Sequence, residues 1–350
     1  MNLIPLADPI PVPWGWFELF LTITFVCHIL LMNVMVGTPI IALASRFFNK
    51  NAEPFSRDII RKLPVIIALA VNLGVGALLF LQVLYGHFIY VSATLMAVFW
   101  LSIVLLVILA YYNAYYSRLN EGAHWPALIS AAVLGFLVVA FFFSNVMTLM
   151  LHPEKWAAYF SNPSGTILNL SDPTLIPRYL HFMTAAVAVS GLFIALVWER
   201  KQTQGDTDAG AYVALGMKWF TYATMIQVLV GFAFQMTLPR PVFTLFLGGS
   251  WGHTLLFGAA MLLVVQTLFF GIRQHARAAA GSLLLLVLAM VSMRTLVRQA
   301  YLAPYFSVND LPVTGQYSPM VVFLVCFAAV AACVAWVLKT AHSETDASRA

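Results

Sequence analysis

An all-α bundle of nine transmembrane helices, N-terminus outside and C-terminus in the cytoplasm, is the fold this sequence predicts, on three observations. Hydrophobic residues make up 62% of the 350 positions and charged residues only 9%. Apolar runs of about 20 residues, long enough to cross a bilayer as a helix, recur along the whole chain. None alternates with period two, so helices are the way left to satisfy a backbone in lipid. The basic residues collect in alternate connections, as the positive-inside rule requires.

The spans read as 14–46, 63–90, 93–117, 125–151, 174–199, 211–237, 252–272, 279–303 and 317–339. Together they form one membrane domain over 1–340, and 341–350 reads as a disordered cytoplasmic tail. Pro5, Pro9, Pro11 and Pro13 make a stiff outer lead-in to the first span, and Trp14 and Trp16 are interfacial anchors. The first connection carries Arg46, Lys50, Arg57, Arg61 and Lys62; the third carries Arg118. Arg200, Lys201 and Lys218 surround the fifth connection, Arg273 and Arg277 lie in the seventh, and Lys339 and Arg349 close the chain. Only Lys155, Arg178, Arg240, Arg294 and Arg298 fall on the other side. The net charge of +5 is therefore topology and not a nucleic-acid patch. Segment 201–210 (KQTQGDTDAG) is a flexible connector. Cys27, Cys326 and Cys333 lie in spans and form no C-x-x-C-H, so no haem is attached covalently.

Five of the eight histidines, His28, His87, His152, His181 and His253, fall towards the outer side. An imidazole in hydrocarbon is costly without a partner, so each is a functional candidate. His181 lies about two turns into its span, and His28 is ~15–20 Å below the surface. For His87 and His152, a ring bonded to a loop carbonyl stands beside the ligand reading. No close i, i+4 pair of histidines exists, which argues against zinc. A haem needs one or two axial ligands, an apolar slot and partners for its propionates. Small residues at Gly74, Gly76, Gly86, Gly248 and Gly249 would let a planar ring approach the backbone. Arg294 and Arg298 share one face of the eighth span, and Glu18 on the first span lies at their level. Two guanidinium groups on one face want an anion between them, so Glu18 or a propionate is expected within reach.

Four segments carry a family resemblance. WFELFLTITFVCHILLMNVMVGTPIIAL, GVGALLFLQVLYGHF, LSDPTLIPRYLHFMTAAVAVSGLFIALVWE and MRTLVRQAYLAP resemble helices of subunit I of the cytochrome bd quinol oxidases. The third is similar to the helix bearing the low-spin haem histidine. The fourth looks like a degraded glycine-arginine-glutamine-proline-tryptophan motif, matched at Arg298 and Gln299.

The resemblance implies that His181 is an axial ligand of a haem b and that His28 lines a second haem position, with Gln82 near its far face at similar depth. Gln82 stands where the family has a glutamate, and Thr295 where the family's haem-ligating glutamate is. Leu256 stands at the opposite methionine, with His253 one turn earlier, so His253 is the expected opposite ligand. The family's long quinol-binding loop is absent, because only 238–251 connect the sixth and seventh spans. Apart from Glu18, no acidic residue lies well inside a span to carry protons.

The function implied is a divergent haem-b subunit with one or two haems, moving electrons near the outer face of a respiratory complex. It would sit in a bacterial inner membrane beside other membrane subunits and exchange electrons with a periplasmic cytochrome c or redox subunit. A variant oxidase fed by cytochrome c and a cofactor-free transporter or structural subunit remain alternatives. His87, Gln82, Glu18, Arg294 and Arg298 complete the expected cofactor surroundings.

Overall fold

The computed structural model describes Ile4 and residues 6–48, 53–119 and 124–347, with backbone only for Leu338 and 341–347. Lys50 and Arg349, counted above towards the inner side, lie outside the described residues, as do 348–350 of the expected tail. The helices are α1 (Trp14–Phe48), α2 (Glu53–Ile60), α3 (Leu63–Leu95), α4 (Ala97–Leu119), α5 (Trp125–Leu149), α6 (Leu175–Thr203), α7 (Ala209–Met236), α8 (Arg240–Thr244), α9 (Trp251–Ile272), α10 (Ala276–Leu302) and α11 (Ser318–Ala347). Among the described residues nine stretches are long and apolar enough to span a membrane, and they coincide with the nine expected spans.

Two features depart from the expectation. The connection after α1 is not merely polar: α2 turns Phe55, Ser56, Ile59 and Ile60 inward. Its Glu53 accepts from Arg46 Nε at 2.6 Å, Arg57 Nε at 2.8 Å and Trp125 Nε1 at 2.7 Å, joining α1, α2 and α5. The other departure is at the end, where α11 runs to Ala347 instead of giving way to a disordered tail.

Packing is set by small residues, because lipid gives helices no hydrophobic reason to associate. A side chain on Gly191 would stand 2.7 Å from the Gly216 carbonyl, and one on Gly216 would stand 2.6 Å from that of Gly191, so α6 and α7 touch backbone to backbone. Gly37 plays the same part between α1 and α6, where Ser190 Oγ donates to the Asn33 carbonyl at 2.9 Å. Thus α6 is the most buried span, whereas no residue of the apolar stretch of α11 is buried. That helix meets the bundle through Phe323 against Phe20 and Phe80.

The lead-in is tied to the segment before α11. Ile10 N–H donates to the Pro312 carbonyl at 2.8 Å, and Gln316 N–H to that of Pro11 at 2.8 Å. Near the same end α3 breaks at Tyr85 (φ −132°, ψ 33°), next to Gly86, an ordinary site for a kink.

Candidate functional site

Helices α1, α5, α6, α7, α9 and α10 surround an apolar cavity of about 280 Å³. Its lining on α10 runs from Leu283 to Arg298, roughly 22 Å at ~1.5 Å per residue, more than half the length of that helix. The walls are phenylalanines, aliphatics and the methionines Met147, Met150, Met261, Met290 and Met293. No carboxylate lines it among the described residues.

His181 stands in this wall. Its Nε2 is hydrogen-bonded to the Gln227 side-chain amide at 3.0 Å, and Thr184 Oγ1 bonds the same amide. Nδ1 is buried without a partner. Gly231 gives the ring its room, since a side chain there would meet His181 Cε1 at 3.2 Å.

Three arginines, Arg178, Arg294 and Arg298, also line the cavity. Arg178 Nε and Nη2 and Arg298 Nε and Nη1 are buried without partners. Arg294 donates from Nη2 to the Met147 sulfur at 3.2 Å and lies 4.5 Å from the Phe25 ring centroid. Arg178 faces Phe234 and Arg298 faces Tyr85 in the same way. Ring faces and a thioether are weak partners for charges whose burial at the bilayer centre costs on the order of 3 kcal/mol each. Glu18 Oε1 accepts from Thr295 Oγ1 at 2.8 Å and from Arg298 Nη2 at 3.5 Å. The expected meeting of Glu18 with Arg298 is therefore present, and Glu18 Oε2 remains unpartnered.

The other sequence candidates lie elsewhere. His28 does not line the cavity: its Nδ1–H donates to the Ala70 carbonyl at 2.9 Å, and its ring fills the gap at Gly74. Gln82 is not level with it, because eight residues of α3 separate Gly74 from Gln82, roughly 12 Å. The expected pairing of His28 and Gln82 at one depth is thus corrected by the register of α1 against α3. His253 opens α9, bonds Ser250 Oγ at 2.8 Å and packs on Phe246. Phe246 lines the cavity and His253 does not, so His253 does not face His181 as expected. His87 donates from Nε2 to the Leu6 carbonyl at 3.1 Å, which fastens the lead-in to α3.

Sequence reasoning missed Arg178 and Gln227 as part of this site. Arg178 precedes His181 by three residues, a spacing that shares a helix face, and this signal was available. Gln227 lies on another helix and had none.

Outside the spans, His152 donates from Nδ1 to Glu154 Oε1 at 2.6 Å and from Nε2 to Asp172 Oδ2 at 3.0 Å. Burial opposes its protonation, but the bonds and charges of Asp172 and Glu154 outweigh burial and raise its pKa. Burial likewise opposes ionisation of Asp172, yet its bonds to His152 and Thr174 hold the carboxyl well below the usual range. The histidine contribution to stability is full below the ordinary histidine pKa and is lost as pH rises through the raised one. The aspartate contribution is full above the ordinary carboxylate pKa and is lost as pH falls through the lowered one. Maximal stability is expected between them, at about pH 4–6.5. Thermal unfolding measured against pH should show the alkaline decline in the wild type, and His152→Gln should flatten it.

Fold and cavity together define a nine-span helical membrane protein with an arginine-walled apolar cavity towards one end. Among solved structures it is similar to a chain of the bd oxidase from Geobacillus thermodenitrificans, with a TM-score of 0.66, 14% identity and coverage of 92% of this chain and 96% of that one. The resemblance read from the sequence holds at the level of the fold. No family model matches the chain, and no curated protein matches it either.

Among the described residues no cluster of three or more His, Cys, Asp or Glu could hold a bare ion. A group that brings its own chelating ring needs less. One buried histidine with an unsatisfied nitrogen, apolar walls and arginine N–H groups without acceptors fit a haem with acidic side chains.

Proposed function

We propose that the chain is a haem-b-binding membrane subunit, divergent from subunit I of the bd oxidases, that passes electrons near the outer face of a respiratory complex. The observation that carries this is the conjunction in one apolar cavity of His181, with an unpartnered ring nitrogen, and three arginines without an acid among the lining residues. His181 would hold the iron from α6, and Met261 of α9 and Met290 and Met293 of α10 bring thioethers to the same cavity wall. Arg178, Arg294 and Arg298 would bind the propionates, and Gln227 would orient the imidazole. The haem would supply reversible one-electron transfer.

His28, whose Nδ1–H is held by the Ala70 carbonyl of α3, is the proposed ligand of a second haem. Thr295, where the resemblance expects a ligating glutamate, instead donates to Glu18, so α1 supplies a carboxylate at that level. The basic residues of the inner connections support an outer N-terminus, an inner C-terminus and a bacterial inner membrane as location. One membrane domain over 1–340, with other membrane subunits around it and a periplasmic cytochrome c or redox subunit as electron partner, completes the proposal.

The test is a reduced-minus-oxidised spectrum of the purified protein with pyridine haemochrome analysis. Low-spin b-type bands are expected. A folded protein without haem would overturn the proposal and leave a structural or transport role. A high-spin signal with oxygen uptake would replace it with a variant oxidase.

A further inference from the structure

Three side chains outside the cavity form a single file from water into the protein. Glu154 is half exposed, His152 is 19% exposed and Asp172 is 1% exposed. Tyr305 OH donates to the outer Glu154 oxygen at 3.1 Å. Asp172 is fixed from all sides: Thr174 donates to Oδ1 from N at 2.8 Å and from Oγ1 at 2.6 Å, and Asn169 Nδ2 donates to Oδ2 at 3.1 Å. Asn169 is itself held by Lys155 Nζ at 2.7 Å and by Asn145. The next charge inward is Arg178, close enough to Asp172 for the two to interact electrostatically. Arg178 stands in the cavity wall three residues from His181. Tyr301 of α10 closes the file, its ring edge-on to His152 and its hydroxyl buried without a partner. Signs therefore alternate from the surface to the cavity: Glu154, His152, Asp172, Arg178.

We propose that His152 is a proton-exchange site at the outer face, coupled by charge through Asp172 and Arg178 to the cavity, so that an electron entering the cavity brings a proton with it from the outer side. The electron half rests on the redox reading above.

The geometry selects the nitrogen that exchanges. A carboxylate faces each side of the ring, so the doubly protonated imidazolium satisfies both. When one proton leaves, the dry and immobile Asp172 keeps the hydrogen on Nε2, because an unpaired buried carboxylate is the costlier loss. Glu154 turns to water instead, so Nδ1 gives up its proton and regains it. An electron delivered by a one-electron donor, a reduced c-type haem protein or dithionite, adds one negative charge behind Arg178. That raises the proton affinity of His152. One electron enters, one proton from outer water bonds to Nδ1, and the net charge of the region is unchanged.

The test is an optical redox titration of the purified protein with its bound cofactor, from neutral to mildly alkaline pH. In the wild type the midpoint should fall as pH rises; in His152→Gln the slope should be lost. A slope unchanged in that variant overturns the proposal. The coupling is also read without the cofactor, by NMR of isotope-labelled histidine. Arg178→Gln removes a positive charge beyond Asp172 and should raise the titration point of His152 by about one pH unit, a tenfold change in affinity. An unmoved titration point overturns the coupling. If that variant does not fold, the wild type compared oxidised and dithionite-reduced supplies the same reading, and an equal titration point in both states overturns the proposal. A protein found to hold no cofactor refutes the redox reading, and the Arg178 comparison then decides the proton site alone.

Discussion

Replacing His181 with alanine is expected to abolish the low-spin haem signal while leaving the protein inserted and folded. The bond between Thr184 and Gln227 that ties α6 to α7 does not depend on the ring. What the ring contributes is a nitrogen in a cavity wall that offers no other histidine, since neither His28 nor His253 lines that space. Loss of a ligand bond is not recovered by the apolar walls, so haem content should fall by an order of magnitude or more. His181→Met should keep some haem and change its spectrum and potential, because a thioether replaces an imidazole. Haem content and spectrum measured on folded His181→Ala decide the matter, and an unchanged spectrum would sink the assignment.

Arg298→Leu is expected to cost both stability and cofactor. Glu18 and Arg298 are a largely buried pair, with side chains 14% and 4% exposed. Removing one member of a buried pair strands the other, at a cost of about 3–5 kcal/mol. The paired variant Glu18→Leu with Arg298→Leu removes both charges and should regain much of that stability. It should not regain haem retention, because the arginine would still be missing from the cavity wall. Thermal unfolding and haem content of the two variants separate the roles. Equal haem content in wild type and double variant would reduce Arg298 to the structural partner of Glu18.

The nine spans were legible because crossing a bilayer demands about 20 apolar residues, a constraint written locally. His181 was legible for a related reason: a polar ring inside such a run is conspicuous by itself. Arg294 and Arg298 could be paired from sequence because i and i+4 share a helix face, and Glu18 could be placed at their level from residue rise alone. The register between helices was not legible. Whether Gln82 sits level with His28 depends on how α3 slides along α1, which glycine contacts at Gly74 decide and no periodicity encodes. His253 looked aligned with His181, yet the turn Leu245–Gly249 sets Phe246 on the cavity and His253 outside its lining. Likewise His152 meets Asp172 across a loop of twenty residues. By itself the sequence determined the number of helices, their order and which side chains had to be explained within the membrane, because burial in lipid acts on each helix separately. Only the tertiary structure decided which of those side chains share one cavity, because that depends on helix-to-helix contact, set by shape over several turns at once.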